Sequence, residues 1–556
     1  MTSSLEELPD DVISKIASYL PQQGKVNLAY CSYKLYTLAL PQLYKRISFG
    51  KASVLASTAS FQDSVFTHVG YSANQLVSEE QQLDIFDMRQ QVLLQSLQIN
   101  IELCNYIEEI AILSQHDNSR ELDATKRSDY ECLYNELFDY IQDNCINLRF
   151  FRSKSPTIKL QSSSFKKLPN LQNHCMFDLN DIKCLPASVK ELEIGILSET
   201  PNIAEFGPTN ISTLLQLDSL ILSDDERSSV IFLDMLLKSL TCGKVLNIKT
   251  LKIVHYHGFN DYNHISRELV KRLLDNLNIE VLKNLEIVAG CDQMACACLG
   301  EFTKYMTTTY MFKLRKLSII QKTVHRDHNY TEKFDVAITE LLSNMSNNES
   351  LAYLFIRHSP PLDCQMGNGF EGNYIKRRDL YAAVLPKLTG LQTLVSPTIM
   401  QSLACYEQLV SDLLWNGCEC QHCTDYLPLF DHYLMKHNYY DSRSGLTKDA
   451  ISPVLFGCAS DMTSMRLSCY DGLQTLELPL MDRNWNFHGY FGIGHEDDFD
   501  CQFNQSCYRP LVTCMSHFLK DYVEELGKSM PHLSLVCFSG VFFVREDQGE
   551  WRCLYD

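Results

Sequence analysis

A short motif that recurs along the chain constrains the fold more than any other feature. It has the form apolar-x-x-apolar-x-apolar, and the copies in the central part begin 28 to 37 residues apart. The first residues of these copies are Val189, Leu217, Ile248, Leu282, Leu314 and Leu351, with further copies at Ile107, Leu473 and Leu533. Apolar residues with helical spacing lie between copies, at 232–240, 265–277 and 334–342. Each repeat is therefore predicted to contain one strand and one helix, and this alternation is typical of an α/β fold.

This unit resembles the leucine-rich repeat, in which the motif forms one strand of a curved parallel sheet and the helices cover the convex face. The spacing is longer than the usual 20 to 29 residues or so, which implies irregular repeats. The Asn or Cys that commonly follows the third apolar residue is also mostly absent. An ordinary α/β protein with a flat parallel sheet remains the alternative, because strand and helix alternation alone does not separate the two.

The first fifty residues carry a separate pattern of three short helices. The first helix is predicted over residues 9–20, because Pro21 disfavours helix in the residue before it. A second apolar run covers 26–30, and a third helix is predicted over 35–40, ending before Pro41. So small a bundle can bury only part of its apolar surface, so an exposed patch that needs a partner is expected.

The residues of this segment resemble an F-box across residues 5–49. The resemblance is carried by Leu8-Pro9, Asp11, Val12-Ile13, Ile16, the run from Ser18 to Pro21, Leu28-Ala29, Cys31-Ser32, Leu38-Ala39 and Leu43-Tyr44. Tyr36 stands where a tryptophan is frequent in the family. The alternative is that these are only the first helices of a larger helical domain.

The resemblance implies that this segment binds the Skp-type adaptor subunit of an SCF ubiquitin ligase, and through it the cullin and RING subunits. The residues expected to contact the adaptor are Leu8, Pro9, Val12, Ile13, Ile16, Leu20, Pro21, Leu28, Leu35 and Tyr36. The predicted organisation is then an F-box at 5–50, a connector with one helix at 51–100, and a repeat domain at 101–556 that recognises a protein substrate.

A cysteine-rich insertion is expected within the repeat domain, at about residues 398–470. Cys418, Cys420 and Cys423 follow an Asn-Gly turn in this insertion. Three thiolates on one tight loop can chelate a tetrahedral zinc ion, although incidental reduced cysteines or a redox thiol remain open readings. The fourth ligand stays unidentified, and the candidates are His432, His437, Asp425, Cys405 and Cys458.

Charge and the remaining motifs narrow the function. Asp and Glu number 68 against 49 Lys and Arg, a net charge of −19 that disfavours nucleic-acid and membrane-surface partners. The start of the chain has no pattern of an export signal, so a soluble protein of the cytoplasm and/or nucleus is expected. The 22 cysteines are then expected to be mostly reduced. Walker loops, nucleophile elbows and zincin helices are not found, so no catalytic residue is predicted.

The function predicted from these features is substrate recognition in an SCF-type ubiquitin ligase, without intrinsic catalysis. The substrate would be held near the loaded conjugating enzyme, ubiquitinated and degraded by the proteasome. An F-box protein that acts as a structural or regulatory subunit outside ubiquitin transfer is the alternative. A metal-dependent enzyme is disfavoured, because three or four thiolates leave no open position on a zinc ion. Zinc is the one cofactor considered.

Overall fold

The computed structural model divides into two units, both of mixed helix and strand. It describes residues 5–20, 22–52, 66–72, 79–112, 135–153, 160–176, 179–194, 208–222, 228–240, 245–257, 267–291, 303, 306, 313–322, 329–345, 349–358, 380–396, 418–425, 505–538 and 541–553. The first unit contains the described residues up to Leu222, and the second contains those that follow. Among the described residues, no helix is both long enough and apolar enough to cross a membrane.

The first unit begins with three helices: α1 (Asp10–Tyr19), α2 (Gln22–Cys31) and α3 (Tyr33–Lys45). Pro9 and Leu20 flank α1, which agrees with the helix predicted over 9–20. The hydroxyl of Ser32 caps α3 by accepting a hydrogen bond from the N–H of Leu35 at 3.3 Å. The bundle core is small and consists of Ile13, Ala17, Leu28, Leu35 and Ala39.

The predicted end of the third helix is wrong, because α3 continues through Pro41 to Lys45. A proline inside a helix removes one backbone hydrogen bond and crowds the preceding turn. Tertiary contacts oppose this cost, since α3 packs against α1, α2 and the short 3₁₀ helix Ile101–Tyr106. Packing on several sides therefore keeps the chain helical past the proline.

Seven strands of the first unit form a parallel sheet. They are β1 (Arg46–Ala52), β2 (Thr67–Ser72), β3 (Glu109–Ile112), β4 (Phe150–Ser153), β5 (Asn173–Met176), β6 (Glu191–Ile194) and β7 (Ser219–Leu222). From β3 onwards the strands are neighbours in chain order, and β1 lies between β2 and β3. The segment 51–100, expected to be a connector with one helix, contains helix α4 (Glu79–Ile99) and also β2.

Eight strands of the second unit form a mixed sheet, in which the first six are parallel and the last two pair antiparallel. They are β8 (Thr250–His257), β9 (Asn284–Cys291), β10 (Lys316–Lys322), β11 (Tyr353–His358), β12 (Thr393–Ser396), β13 (Leu535–Phe538), β14 (Val541–Arg545) and β15 (Trp551–Cys553). Strands β8 to β13 are parallel neighbours in chain order, and β13, β14 and β15 pair antiparallel.

Helices and short 3₁₀ or π turns connect the strands. In the first unit they are the helix over 135–144, Ser162–Lys167, Leu179–Cys184 and Pro208–Leu214. In the second unit they are Ser228–Ser239, Arg267–Asn276, Asn329–Met345, Leu380–Val384, Leu385–Lys387, the turn over 421–425 and Gln505–Ser529. The three helices expected between the motif copies are therefore present as Ser228–Ser239, Arg267–Asn276 and Asn329–Met345.

Each motif copy in the described residues forms a strand in the same way. The first apolar residue lies two positions before the strand, as Leu282 does before β9, and is buried. The second and third, such as Leu285 and Ile287, point from the strand into the core. The copy that begins at Leu473 lies outside the described residues.

The same backbone hydrogen bonds join successive repeats. The carbonyl oxygen just before the strand of one repeat accepts hydrogen bonds from two consecutive N–H groups at the start of the next repeat, as Lys190 does from Asp218 and Ser219 at 2.7 and 2.9 Å. The carbonyl oxygens that do this are those of Glu108, Arg149, Gln172, Lys190, Lys249, Lys283, Arg315, Ala352 and Gln392. These hydrogen bonds between repeats occur in both the first and the second unit, despite the irregular spacing of the motif.

Candidate functional site

Exposed apolar side chains are concentrated in the N-terminal helices. Of the fourteen large apolar or aromatic side chains that are exposed in the described residues, seven lie between residues 5 and 36. These seven, the N-terminal apolar set, are Leu5, Leu8, Val12, Tyr19, Tyr30, Tyr33 and Tyr36. Tyr30 and Tyr33 keep 85% and 82% of their surface exposed. An apolar concentration of this kind is typical of a surface that binds another protein.

The residues predicted to contact an adaptor fall into three groups in the structure. Leu8, Pro9, Val12 and Tyr36 are exposed, and Ile16 and Leu20 are half-buried. Ile13, Leu28 and Leu35 lie in the core of the bundle. Pro21 lies outside the described residues. The buried group can support a docking surface only by holding α1, α2 and α3 together, so direct contact is assigned to the exposed and half-buried residues.

Lys34 ties the first residues of the chain to α3. Its ammonium nitrogen Nζ donates hydrogen bonds to the carbonyl oxygens of Glu6 at 2.7 Å and Leu8 at 3.2 Å. The same nitrogen lies 3.1 Å from a carboxylate oxygen of Asp10. One side chain therefore fixes the turn that carries Leu5 and Leu8 against the helix that carries Tyr33 and Tyr36, which pre-organises part of the N-terminal apolar set.

A second candidate site lies in the second unit, where Cys418, Cys420 and Cys423 meet His517. The three sulfur atoms and a ring nitrogen of the histidine all lie within 4.8 Å of one another. The Nδ1 atom of His517 is 3.5 Å from the Cys420 sulfur and 3.4 Å from the Cys423 sulfur. Cys423 is buried, and the other three residues are partly exposed. We call these four residues the Cys–His cluster.

Local hydrogen bonds and burial shift the pKa values of the thiols of this region in different directions. The main-chain N–H of Cys420 donates to the Cys418 sulfur at 3.4 Å. Main-chain N–H donation from Cys423 lowers the pKa of the Cys420 thiol below its usual range. Burial raises the pKa of Cys423, and burial also raises that of the neighbouring Cys514 to about 11.

The sequence predicted the three cysteines of the cluster but not the histidine. Asp425 is exposed and lies outside the cluster, and the other predicted fourth ligands, His432, His437, Cys405 and Cys458, lie outside the described residues. His517 is 94 positions beyond Cys423, on the helix Gln505–Ser529. A partial signal existed: Cys514 and His517 are three residues apart, which puts both on one face of a helix. The spacing does not indicate that this face meets the three cysteines, so it does not identify His517 as their fourth ligand.

The donor set of the cluster matches one class of metal. Three thiol sulfurs and one imidazole nitrogen are a ligand set typical of structural zinc sites. Soft sulfur donors also disfavour magnesium and calcium, which prefer oxygen. The side chains present therefore fit the zinc ion considered from the sequence.

Comparison with known proteins gives relatives of one kind. No protein-family model matches the chain. The chain is 30% identical over 565 aligned positions, covering 98% of both chains, to the "Non-SCF-type F-box protein ROY1" of Saccharomyces cerevisiae. It is also 28% identical over 113 positions, 19% of this chain and 16% of the relative, to the "F-box protein DAS1" of the same yeast.

Proposed function

The chain belongs to the F-box proteins, and on this premise we propose that it docks a Skp-type adaptor through residues 5–50 and binds a second protein through residues 101–556. The concentration of exposed apolar side chains in the N-terminal helices carries this proposal. Leu8, Val12 and Tyr36 belong to the predicted contact residues and also to the N-terminal apolar set. They are the anchors that docking would bury.

The partner-binding part would consist of leucine-rich-repeat-like units. Two observations support this: parallel strands that are neighbours in chain order within each unit, and the hydrogen bonds by which one carbonyl serves two N–H groups of the next repeat. Such arrays present long surfaces to protein partners. The chain would contribute binding and positioning rather than a catalytic group, and it would act in the cytoplasm and/or nucleus.

Two modes of action follow from adaptor docking, and we favour the one outside ubiquitin transfer. The relative that matches 98% of the chain is named as a non-SCF-type F-box protein. Because the likeness extends over the whole length, it includes the partner-binding part as well as the docking segment. In this mode the adaptor and the chain form a stable complex without the cullin and RING subunits. In the other mode, predicted from the sequence, the same docking delivers a substrate for ubiquitination and degradation.

Affinity purification of the tagged full-length chain separates the two modes. The wild type should retain the adaptor in near-equal amount, with cullin and RING subunits far below the adaptor. The double variant Leu8→Ala/Val12→Ala should lose the adaptor, because both side chains are exposed in the chain and would be buried by docking. It should keep partners of the repeat domain, because neither residue belongs to that domain. Quantitative mass spectrometry measures all these components in one experiment.

The result decides between named outcomes. Cullin recovered in proportion to the adaptor, together with longer lifetimes of bound partners in the double variant, would establish the ligase mode instead. Absence of the adaptor from the wild-type complex would refute docking in both modes.

A further inference from the structure

We propose that Cys418, Cys420, Cys423 and His517 bind one zinc ion in a closed tetrahedral site, which joins residues 418–425 to the helix Gln505–Ser529. The site lies wholly within the second unit. It is independent of adaptor docking, which involves the first 50 residues.

Two of the interatomic distances match those of a tetrahedral zinc site. With Zn–S bonds of about 2.3 Å and a Zn–N bond of about 2.0 Å, a tetrahedron places sulfur and nitrogen ligands about 3.5 Å apart. The two sulfur-to-Nδ1 distances at His517 are 3.5 and 3.4 Å. All four ligand atoms lie within 4.8 Å of each other, so small side-chain adjustments suffice to place them around one ion.

The chain builds the two halves of the site separately. Cys418 and Cys420 are held together by the hydrogen bond from the Cys420 N–H to the Cys418 sulfur, and Cys423 lies in the helical turn that follows, over 421–425. His517 comes from the middle of a 25-residue helix and is therefore held on a rigid element. A ligand set divided between a tight loop and a long helix is suited to binding the loop to the helix.

The number of protein ligands indicates a structural ion. Four side chains complete the tetrahedral coordination of zinc, so no position is left for water or a substrate. The ion would connect residues that are 94 and 97 positions apart in the chain, on either side of residues 426–504. Binding energy in such a site appears as folding energy of the parts that it joins.

The helix that carries His517 is itself fixed to the sheet edge of the second unit. It contacts β14 and β15. A methyl group added at Gly527 would come within 2.5 Å of the Trp551 indole nitrogen, so the indole of β15 packs directly on the helix at this point. The zinc ion would therefore position residues 418–425 relative to β14 and to the edge strand β15.

Cys514 is a competing ligand, and variants distinguish it from His517. It is buried one helical turn before the histidine, and its thiol interacts with that of Cys423. We assign the fourth position to His517 because its Nδ1 contacts two of the three loop sulfurs. His517→Ala should therefore lose zinc, His517→Cys should keep it, and Cys514→Ser should keep it. His422→Ala, in the same loop, is the matched control and should also keep zinc.

The experiment measures zinc in the full-length chain purified under reducing, chelator-free conditions. Elemental analysis of the wild type should give about one zinc per chain, as four-ligand sites of this type bind one ion. Replacement by Co²⁺ should give the intense visible absorption of a tetrahedral thiolate site, which an adventitious surface ion does not produce. Chelation should increase proteolytic cleavage near residues 418–425 in the wild type and in Cys514→Ser, and circular dichroism checks that each variant remains folded.

Three results would overturn the proposal. The first is a wild type that holds no zinc and takes up no Co²⁺ in a titration. The second is full zinc content in a folded His517→Ala variant. The third is loss of zinc in a folded Cys514→Ser variant, which would place Cys514 among the ligands.

Discussion

Lys252 and Glu286 form a buried ion pair between two neighbouring strands. The register of β8 and β9 places them directly opposite each other, with Nζ 3.3 Å from a carboxylate oxygen. The exposed fraction of the side chain is 2% for Lys252 and 1% for Glu286. A buried pair of this kind adds little net stability, but removal of one member leaves a buried charge that has lost its ion-pair partner.

Substitution of one member of this pair should therefore cost more than substitution of both. Lys252→Met is expected to lower the free energy of unfolding by about 3 to 5 kcal/mol, and Lys252→Met/Glu286→Leu should recover most of that loss. Lys313→Met, which breaks the exposed pair with Glu280, is the control and should change the free energy far less. Urea denaturation measures all four proteins. Equal losses in the single and double variants would contradict this description.

Neither this pair nor His517 could be predicted from the sequence, for a shared reason. Lys252 lies between the apolar motif positions Leu251 and Ile253, where the period-two alternation of a strand predicts a side chain on the opposite face. Which residues cover that face depends on contacts distant in sequence. His517 likewise meets Cys423 only through the folded chain. The thiols were predictable because their ligand spacing is local.

At the scale of secondary structure, the copies of the motif predicted strands, and each copy in the described residues forms one. Strands β4 and β5 are copies that the motif did not identify. In β5 the second apolar position is occupied by His174, and in β4 the third is occupied by Ser153. These polar residues interrupt the apolar pattern of the motif. The carbonyl oxygens of Arg149 and Gln172 nevertheless make the same backbone hydrogen bonds as those of the other repeats. The long gap between the copies at Ile107 and Val189 is thereby explained.

The histidine in β5 makes the stability of the first unit depend on pH. His174 lies opposite Leu192 of β6, and burial lowers the pKa of its ring to about 3. Burial, with a smaller effect from Arg89, likewise lowers the pKa of His68 to about 4. In the unfolded chain a histidine titrates near 6.5, so the unfolded state binds more protons than the folded state between these values. The contribution of each histidine to the free energy of unfolding is therefore fully present above about pH 6.5, and it is lost as the pH falls toward the pKa of the folded state.

Replacement of His174 by leucine, the residue that β6 carries at the paired position, should remove its share of this dependence. Between pH 7.5 and 6.0 the His174 contribution to wild-type stability should fall by about 0.8 kcal/mol. His174→Leu should lose correspondingly less over the same range, and it fills the position with an apolar side chain as Leu192 does. His532→Gln, at an exposed position, should behave as the wild type. Urea midpoints at the two pH values test this, and an unchanged pH dependence in His174→Leu would contradict it.

At the scale of the whole molecule, the F-box family and the α/β class were predictable from the sequence, and the sequence did not decide between the two modes of action. The spacing across residues 5–49 identified the family that the full-length relative bears out. The ordered copies of the motif predicted parallel neighbours. The resemblance of residues 5–49 concerns adaptor docking, which both modes of action share. The copy at Leu473 and most of the insertion at 398–470 lie outside the described residues.

Direct titration of the purified adaptor into the purified full-length chain tests the central claim most directly. Truncation of a buried interface anchor commonly costs about 2 kcal/mol, or roughly thirtyfold in affinity. Leu8→Ala/Val12→Ala should therefore bind the adaptor at least that much more weakly than the wild type. Met88→Ala/Val92→Ala, which truncates two exposed apolar residues on α4, should bind with unchanged affinity. Equal affinity in the wild type and Leu8→Ala/Val12→Ala, or no binding by the wild type, would contradict the account.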